Sequence, residues 1–143
     1  HTDGAGAGEY RGGSGAVRVY RSMNENQTFT ASFGRNKWPV WGAAGGKDGS
    51  VNYFQFIDAD GTVSEPMGIA ARRVMNTNDV VRMVTATGGG YGNPFKRPAE
   101  KVAMDVKNEY ITVEQAKADY GVLVDPETFK VLGLTEERQK AEK

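Results

Sequence analysis

Glycine constrains this chain more than any other feature. It supplies 19 of the 143 residues, well above its usual share of about 7%. The densest stretch, from Gly4 to Gly15, reads Gly-Ala-Gly-Ala-Gly-Glu-Tyr-Arg-Gly-Gly-Ser-Gly and has neither helical nor strand periodicity. Each glycine loses more backbone freedom on folding than any other residue, and in exchange lets backbones approach closely. A flexible linker is the plain reading of such a run. Tyr10 and Arg11 in its middle argue against it, since a linker has no use for an aromatic side chain. A chain of this length makes one domain and can bury roughly two thirds of its unfolded surface. The core is nonetheless thin, because hydrophobic residues make up only 38% and mean hydropathy is −0.55. Such a chain gains from a partner surface.

Charge excludes several classes of partner. Eighteen basic and 18 acidic residues cancel, and no basic stripe with interleaved aromatics suggests nucleic acid. The absence of cysteine excludes disulfides and thiolate metal sites and fits a reducing cytoplasm. No apolar run reaches the 18 or so residues of a membrane span, and no export signal is visible.

The pattern predicts a mainly β protein: a small barrel-like or sandwich β domain with Gly-rich extended segments over residues 1–94, a short helical part over 95–123 and a charged tail over 124–143. Residues 16–21 and 27–33 alternate as half-buried strands, with Phe29, Ala31 and Phe33 on one face. Residues 51–57 are rich in β-branched and aromatic side chains. Asp58-Ala-Asp-Gly61 is a hairpin turn leading to a short strand over 62–65, and 80–85 is a further strand. After Pro94, Pro98 opens a helix with an apolar stripe of Val102, Met104, Val106 and Tyr110. Thr112-Val-Glu-Gln115 is a capping box for a second helix that Gly121 ends. The charged stretch 135–143 reads as a third, terminal helix or a docking tail.

Candidate chemistry is sparse. Gly42-Ala-Ala-Gly-Gly-Lys47 resembles a phosphate loop only superficially, because Trp41 stands where the first glycine belongs and Asp48 follows the lysine. Gly4, Gly6 and Gly8 lack the third glycine of a dinucleotide fingerprint. Asp58, Asp60 and Gly61 begin like a calcium loop, but Ile69 occupies the place of the bidentate glutamate. His1 is the single histidine and cannot build a zinc site or a nucleophile–histidine system without help. The turn carboxylates Asp58, Asp60, Glu65 and Asp79 are explained by turn formation. No catalytic, cofactor-binding or metal-ligating residue is assigned. Trp38 and Trp41 flank Pro39 and suit an interface anchor, a hydrophobic plug or a ligand pocket. With Tyr10, Arg11, Gly88, Gly89, Gly90 and Tyr91 they form the candidate subunit interface.

The order of these pieces resembles the C-terminal region of the hydantoinase B/oxoprolinase/acetone carboxylase alpha family. Gly6-Ala-Gly8 with Tyr10-Arg-Gly-Gly13 and Gly15 is similar to its Gly-rich signature, and Val17-Arg-Val-Tyr20 to the strand that follows. The segment from Arg35 through Trp38-Pro-Val-Trp41 to Lys47 resembles its Trp-Gly, Gly-Gly loop. Asp79-Val-Val-Arg-Met-Val-Thr85 and Gly88-Gly-Gly-Tyr-Gly-Asn-Pro94 resemble its close, and the helices to Leu123 its ending. Asn93, Asn78 and Ala86-Thr87 depart from the family's usual Asp, Gly and Thr-Pro. The resemblance implies a small non-catalytic subunit of a heteromeric ATP-dependent carboxylase, with acetophenone and bicarbonate giving benzoylacetate. A hydantoinase or 5-oxoprolinase complex is the near alternative, and a stand-alone β binding module the distant one. The resemblance further implies hydantoinase A-like ATP-binding subunits and a larger hydantoinase B-like subunit as partners. ATP and a divalent metal would belong to those partners, in the cytoplasm, with no cofactor held by this chain.

Overall fold

The computed structural model describes residues 1–2 and 4–141. Strands β1 (Val17–Arg21), β5 (Val80–Val84) and β3 (Tyr53–Ile57) form an antiparallel sheet in the order β1-β5-β3. Strands β2 (Gln27–Ser32) and β4 (Ile69–Met75) form a two-stranded ribbon. The ribbon lies on one face of the larger sheet, where Phe29, Phe33, Phe54 and Phe56 meet edge to face with ring centroids 5.5–5.8 Å apart. Met75 and Val81 complete this buried aromatic core. The sheets do not close, so the β part is an open sandwich rather than a barrel.

The C-terminal half has its own core. After a 3-10 turn at Pro94–Lys96 come α1 (Ala99–Lys107), α2 (Val113–Tyr120), β6 (Val122–Val124), β7 (Val131–Leu134) and α3 (Glu136–Ala141). Val102, Ala103, Val106, Ile111, Ala116, Tyr120, Val122 and Val124 pack together with Ala7 of the Gly-rich segment. The capping box forms as the sequence suggests: Thr112 Oγ1 accepts from Gln115 N–H, and the Gln115 side chain accepts from Thr112 N–H. Gly121 ends α2 in the left-handed region at φ +63°.

Several elements differ from the sequence reading. Strand β4 lies where no element is expected, because Ala70-Ala-Arg-Arg73 shows no alternation. The register shifts opposite Phe29 and Ala31, and Arg72 takes φ +53° at the irregularity. Residues 62–65 contribute only an isolated bridge from Val63 to Ile57. Strand β1 is exposed along its length rather than half-buried, since the ribbon covers β3 and β5 and stops short of it. In α1, Met104 faces solvent because the 3.6-residue period that buries Val102 and Val106 turns it outward. Tyr110 lies beyond the helix end. The stretch read as a charged tail is folded: β7 pairs with β6, and α3 inserts Arg138, only 4% exposed, beside Tyr120.

Candidate docking surface

Between the two cores, three stretches far apart in sequence lie backbone to backbone: residues 4–13, 40–50 and 87–92. Gly6 N–H donates to Gly88 O (2.9 Å), Gly88 N–H to Gly13 O (2.9 Å), Gly90 N–H to Lys47 O (2.9 Å) and Lys47 N–H to Ala7 O (2.7 Å). Ala43 and Gly90 bond in the same way at 2.9 Å, as do Gly92 and Ala43. The approach is so close that a Cβ at Gly12 would overlap the Gly88 carbonyl, and one at Gly90 the Ala7 carbonyl. Buried Thr87 pins the start of the layer. Its hydroxyl donates to Gly4 O (2.8 Å) and accepts from Ser50 N–H (3.0 Å).

A buried ionic centre fastens this layer to the helices. One oxygen of Asp105, Oδ2, accepts from Arg97 Nε (3.0 Å) and lies 2.9 Å from its second guanidinium nitrogen and 3.9 Å from Arg11 Nε. Arg97 also donates to Glu9 O (3.0 Å), while Arg11 donates to Gly12 O (2.9 Å) and lies over the Tyr110 ring at 4.7 Å. Arg138 reaches in from α3, donating to Tyr120 O (3.0 Å) and Arg97 O (2.9 Å). Burial raises the Tyr120 phenol above its ordinary 10.0, against the opposing pull of Arg97. Its hydroxyl has no hydrogen-bond partner among the described residues.

The structure divides the candidate interface residues. Tyr10 and Tyr91 bond reciprocally through their backbones (3.0 and 2.9 Å), and their exposed rings lie 6.3 Å apart. Trp38 and Trp41 are 78% and 68% exposed, with the Arg35 guanidinium 4.7 Å over the Trp41 ring. Arg11 instead turns inward to Asp105. Gly88, Gly89 and Gly90 sit within the layer against the chain's own backbone, Gly89 beside Trp41 O and Gly90 beside Ala7 O. Sequence reasoning missed Arg97, Asp105 and Arg138, because nothing in their spacing separates a buried ion pair from solvated surface charges.

The layer does not fit a phosphate chain. Lys47 Nζ already contacts Asp119 Oδ1 (2.5 Å), and Asp48 Oδ1 accepts from Gly42 N–H (2.8 Å), so carboxylates flank the only lysine of the loop. Nor, among the described residues, do three or more His, Cys, Asp or Glu side chains gather where a metal ion could sit. No helix among them is long and apolar enough to cross a membrane. What the exposed surface offers is aromatic area beside rigid backbone.

Comparison with known proteins follows the same outline. The sequence pattern of the hydantoinase B/oxoprolinase family matches residues 1–94. The chain is 32% identical over 119 residues to the B-type subunit of a putative D-/L-hydantoinase of Pseudomonas sp. (strain NS671), covering 82% of this chain and 20% of that one. It is 31% identical over 140 residues to the beta subunit of the caprolactamase of Pseudomonas jessenii, covering 87% and 22%. In fold it is similar to an acetone carboxylase solved without nucleotide, with a TM-score of 0.69 at 18% identity over 96% of this chain and 22% of that one. The chain thus spans about a fifth of the length of the curated relatives it matches.

Proposed function

The chain belongs to the hydantoinase B/oxoprolinase family, and from that premise we propose that it serves as a small structural subunit in a heteromeric ATP-dependent complex. It completes the fold of a larger hydantoinase B-like chain and leaves the reaction to others. One observation carries this reading. Trp38, Trp41, Tyr10 and Tyr91 stand exposed around a rigid Gly-rich layer. Exposed aromatic residues of this kind anchor interfaces once covered. ATP would be held by hydantoinase A-like partners and a divalent metal by another partner chain, in the cytoplasm.

For the reaction, the proposal is the ATP-dependent joining of acetophenone and bicarbonate into benzoylacetate, supported by the fold likeness to acetone carboxylase. A second reading, ATP-dependent opening of a cyclic amide such as a hydantoin or 5-oxoproline, draws on the higher identity to hydantoinase and caprolactamase chains. Purifying the complex from its native source and identifying its chains by mass spectrometry tests the subunit role. Labelled bicarbonate entering a β-keto acid selects the carboxylase, and ring-opened product without label selects the amide hydrolase. Turnover of either substrate by the isolated chain would refute the structural role.

A further inference from the structure

Strand β1 is the outer strand of its sheet, exposed on both faces, with Val19 60% exposed. Its ladder can be resolved residue by residue. Thr85 N–H donates to Ala16 O (2.9 Å) and Ser22 N–H to Asp79 O (2.8 Å), so the even-numbered residues bond to β5. The N–H and C=O groups of Val17, Val19 and Arg21 therefore point away from the sheet. Natural edges are usually blunted by proline, a bulge or an inward charge; β1, Val-Arg-Val-Tyr-Arg, carries no proline and pairs with β5 without a register shift.

Beside this edge the sandwich is open. A groove of about 380 Å³ runs between β1 and the β2–β4 ribbon, lined among others by Tyr20, Phe29, Met75, Val81 and Met83. The strands that surround it carry charge of one sign. The five strands β1 to β5 carry Arg18, Arg21, Arg72, Arg73 and Arg82 and no acidic residue. Arg73 pairs with Asp58 (3.0 Å), whereas Arg18, Arg21, Arg72 and Arg82 have no acidic partner among the described residues.

We propose that the free edge of β1 receives, as an added strand, an extended segment of the larger hydantoinase B-like chain in which apolar and acidic side chains alternate. The proposal rests on the subunit role argued above. The three outward backbone positions pair with the incoming strand, its apolar side chains fill the groove, and its carboxylates, on the opposite face, meet Arg21 and Arg82.

The test uses the full chain with the larger chain of the same complex. Val19→Pro removes an N–H that points outward and so leaves the β5 ladder intact. It is expected to weaken association at least about tenfold with an unchanged circular dichroism spectrum. Arg21→Glu with Arg82→Glu is expected to weaken it too, and to remove most of its salt dependence. Should Val19→Pro perturb folding, amide exchange decides: Val17, Val19 and Arg21 N–H should gain protection only when the larger chain is added. If both variants bind like wild type while Trp38→Ala does not, the strand proposal is overturned and the subunit role stands. If wild type forms no complex, both fall. If wild type pairs with itself through β1, the occupant is a second copy and the proposal is overturned.

Discussion

The Gly-rich layer and the helical half solve the same problem with opposite means. In the helical half, side chains do the packing: Val102, Val106, Ala116, Tyr120 and Val122 are almost completely buried, and the backbone satisfies itself within helices and the β6–β7 pair. In the layer, side chains are nearly absent and the backbone is the packing surface, each carbonyl lying where a neighbour's Cβ would be. The first arrangement tolerates changes of shape, since methylenes can shift. The second tolerates none at its close approaches, because nothing lies between the stretches there but hydrogen bonds. The lesson is that low apolar content need not mean a loose structure where glycine lets peptide groups satisfy one another directly.

The sharpest way to break the comparison is at the joint. Asp105 is 7% exposed and answers both Arg97 and Arg11. Asp105→Ala should cost about 3–5 kcal/mol in chemical denaturation, because it strands buried guanidinium groups. Next comes the layer itself. Gly90→Ala should cost about 3 kcal/mol through backbone overlap, while Gly13→Ala, where a Cβ meets nothing within 4 Å, should be near neutral. Equal losses at the two sites would refute the account of the layer. Thr87→Val keeps the shape but deletes a hydroxyl that bonds Gly4 and Ser50, and should cost about 1–2 kcal/mol.

A pH titration sharpens the other side. The native Tyr120 phenol ionises at a higher pH than the unfolded one, so its contribution is complete below pH 10.0 and fades as pH rises through the native value. Alkaline melting curves should therefore fall less steeply for Tyr120→Phe, whose missing hydroxyl had no hydrogen-bond partner among the described residues. Smallest of all, Trp38→Ala should change the stability of the chain alone by less than about 0.5 kcal/mol. A larger loss in the melting curve would make Trp38 a plug of this fold rather than an anchor for another.

Where alternation or capping acts locally, the fold was readable. β1, β2, β3 and β5 lie within about two residues of the strands read from the sequence, the first two by their alternation, and the Thr112 box and Gly121 frame α2. Asn78, standing where a glycine is usual, takes φ +73°, a conformation asparagine tolerates. β4 escaped because an irregularity interrupts its period, and β6 and β7 because strands of three and four residues leave too little pattern. At the surface, aromatic residues set among glycines marked Tyr10, Trp38, Trp41 and Tyr91. Arg11 could not be assigned a direction, since its carboxylate lies on a helix more than ninety residues away.

That remoteness has a kinetic side. The bonds that join residues near 6, 47 and 90 all connect stretches far apart in sequence. Each requires a long loop to close first, and closure is opposed by the flexibility of the same glycines. Refolding should be paced by this step, with the helices and hairpins gaining amide protection early and Gly6, Gly88 and Gly90 last, together.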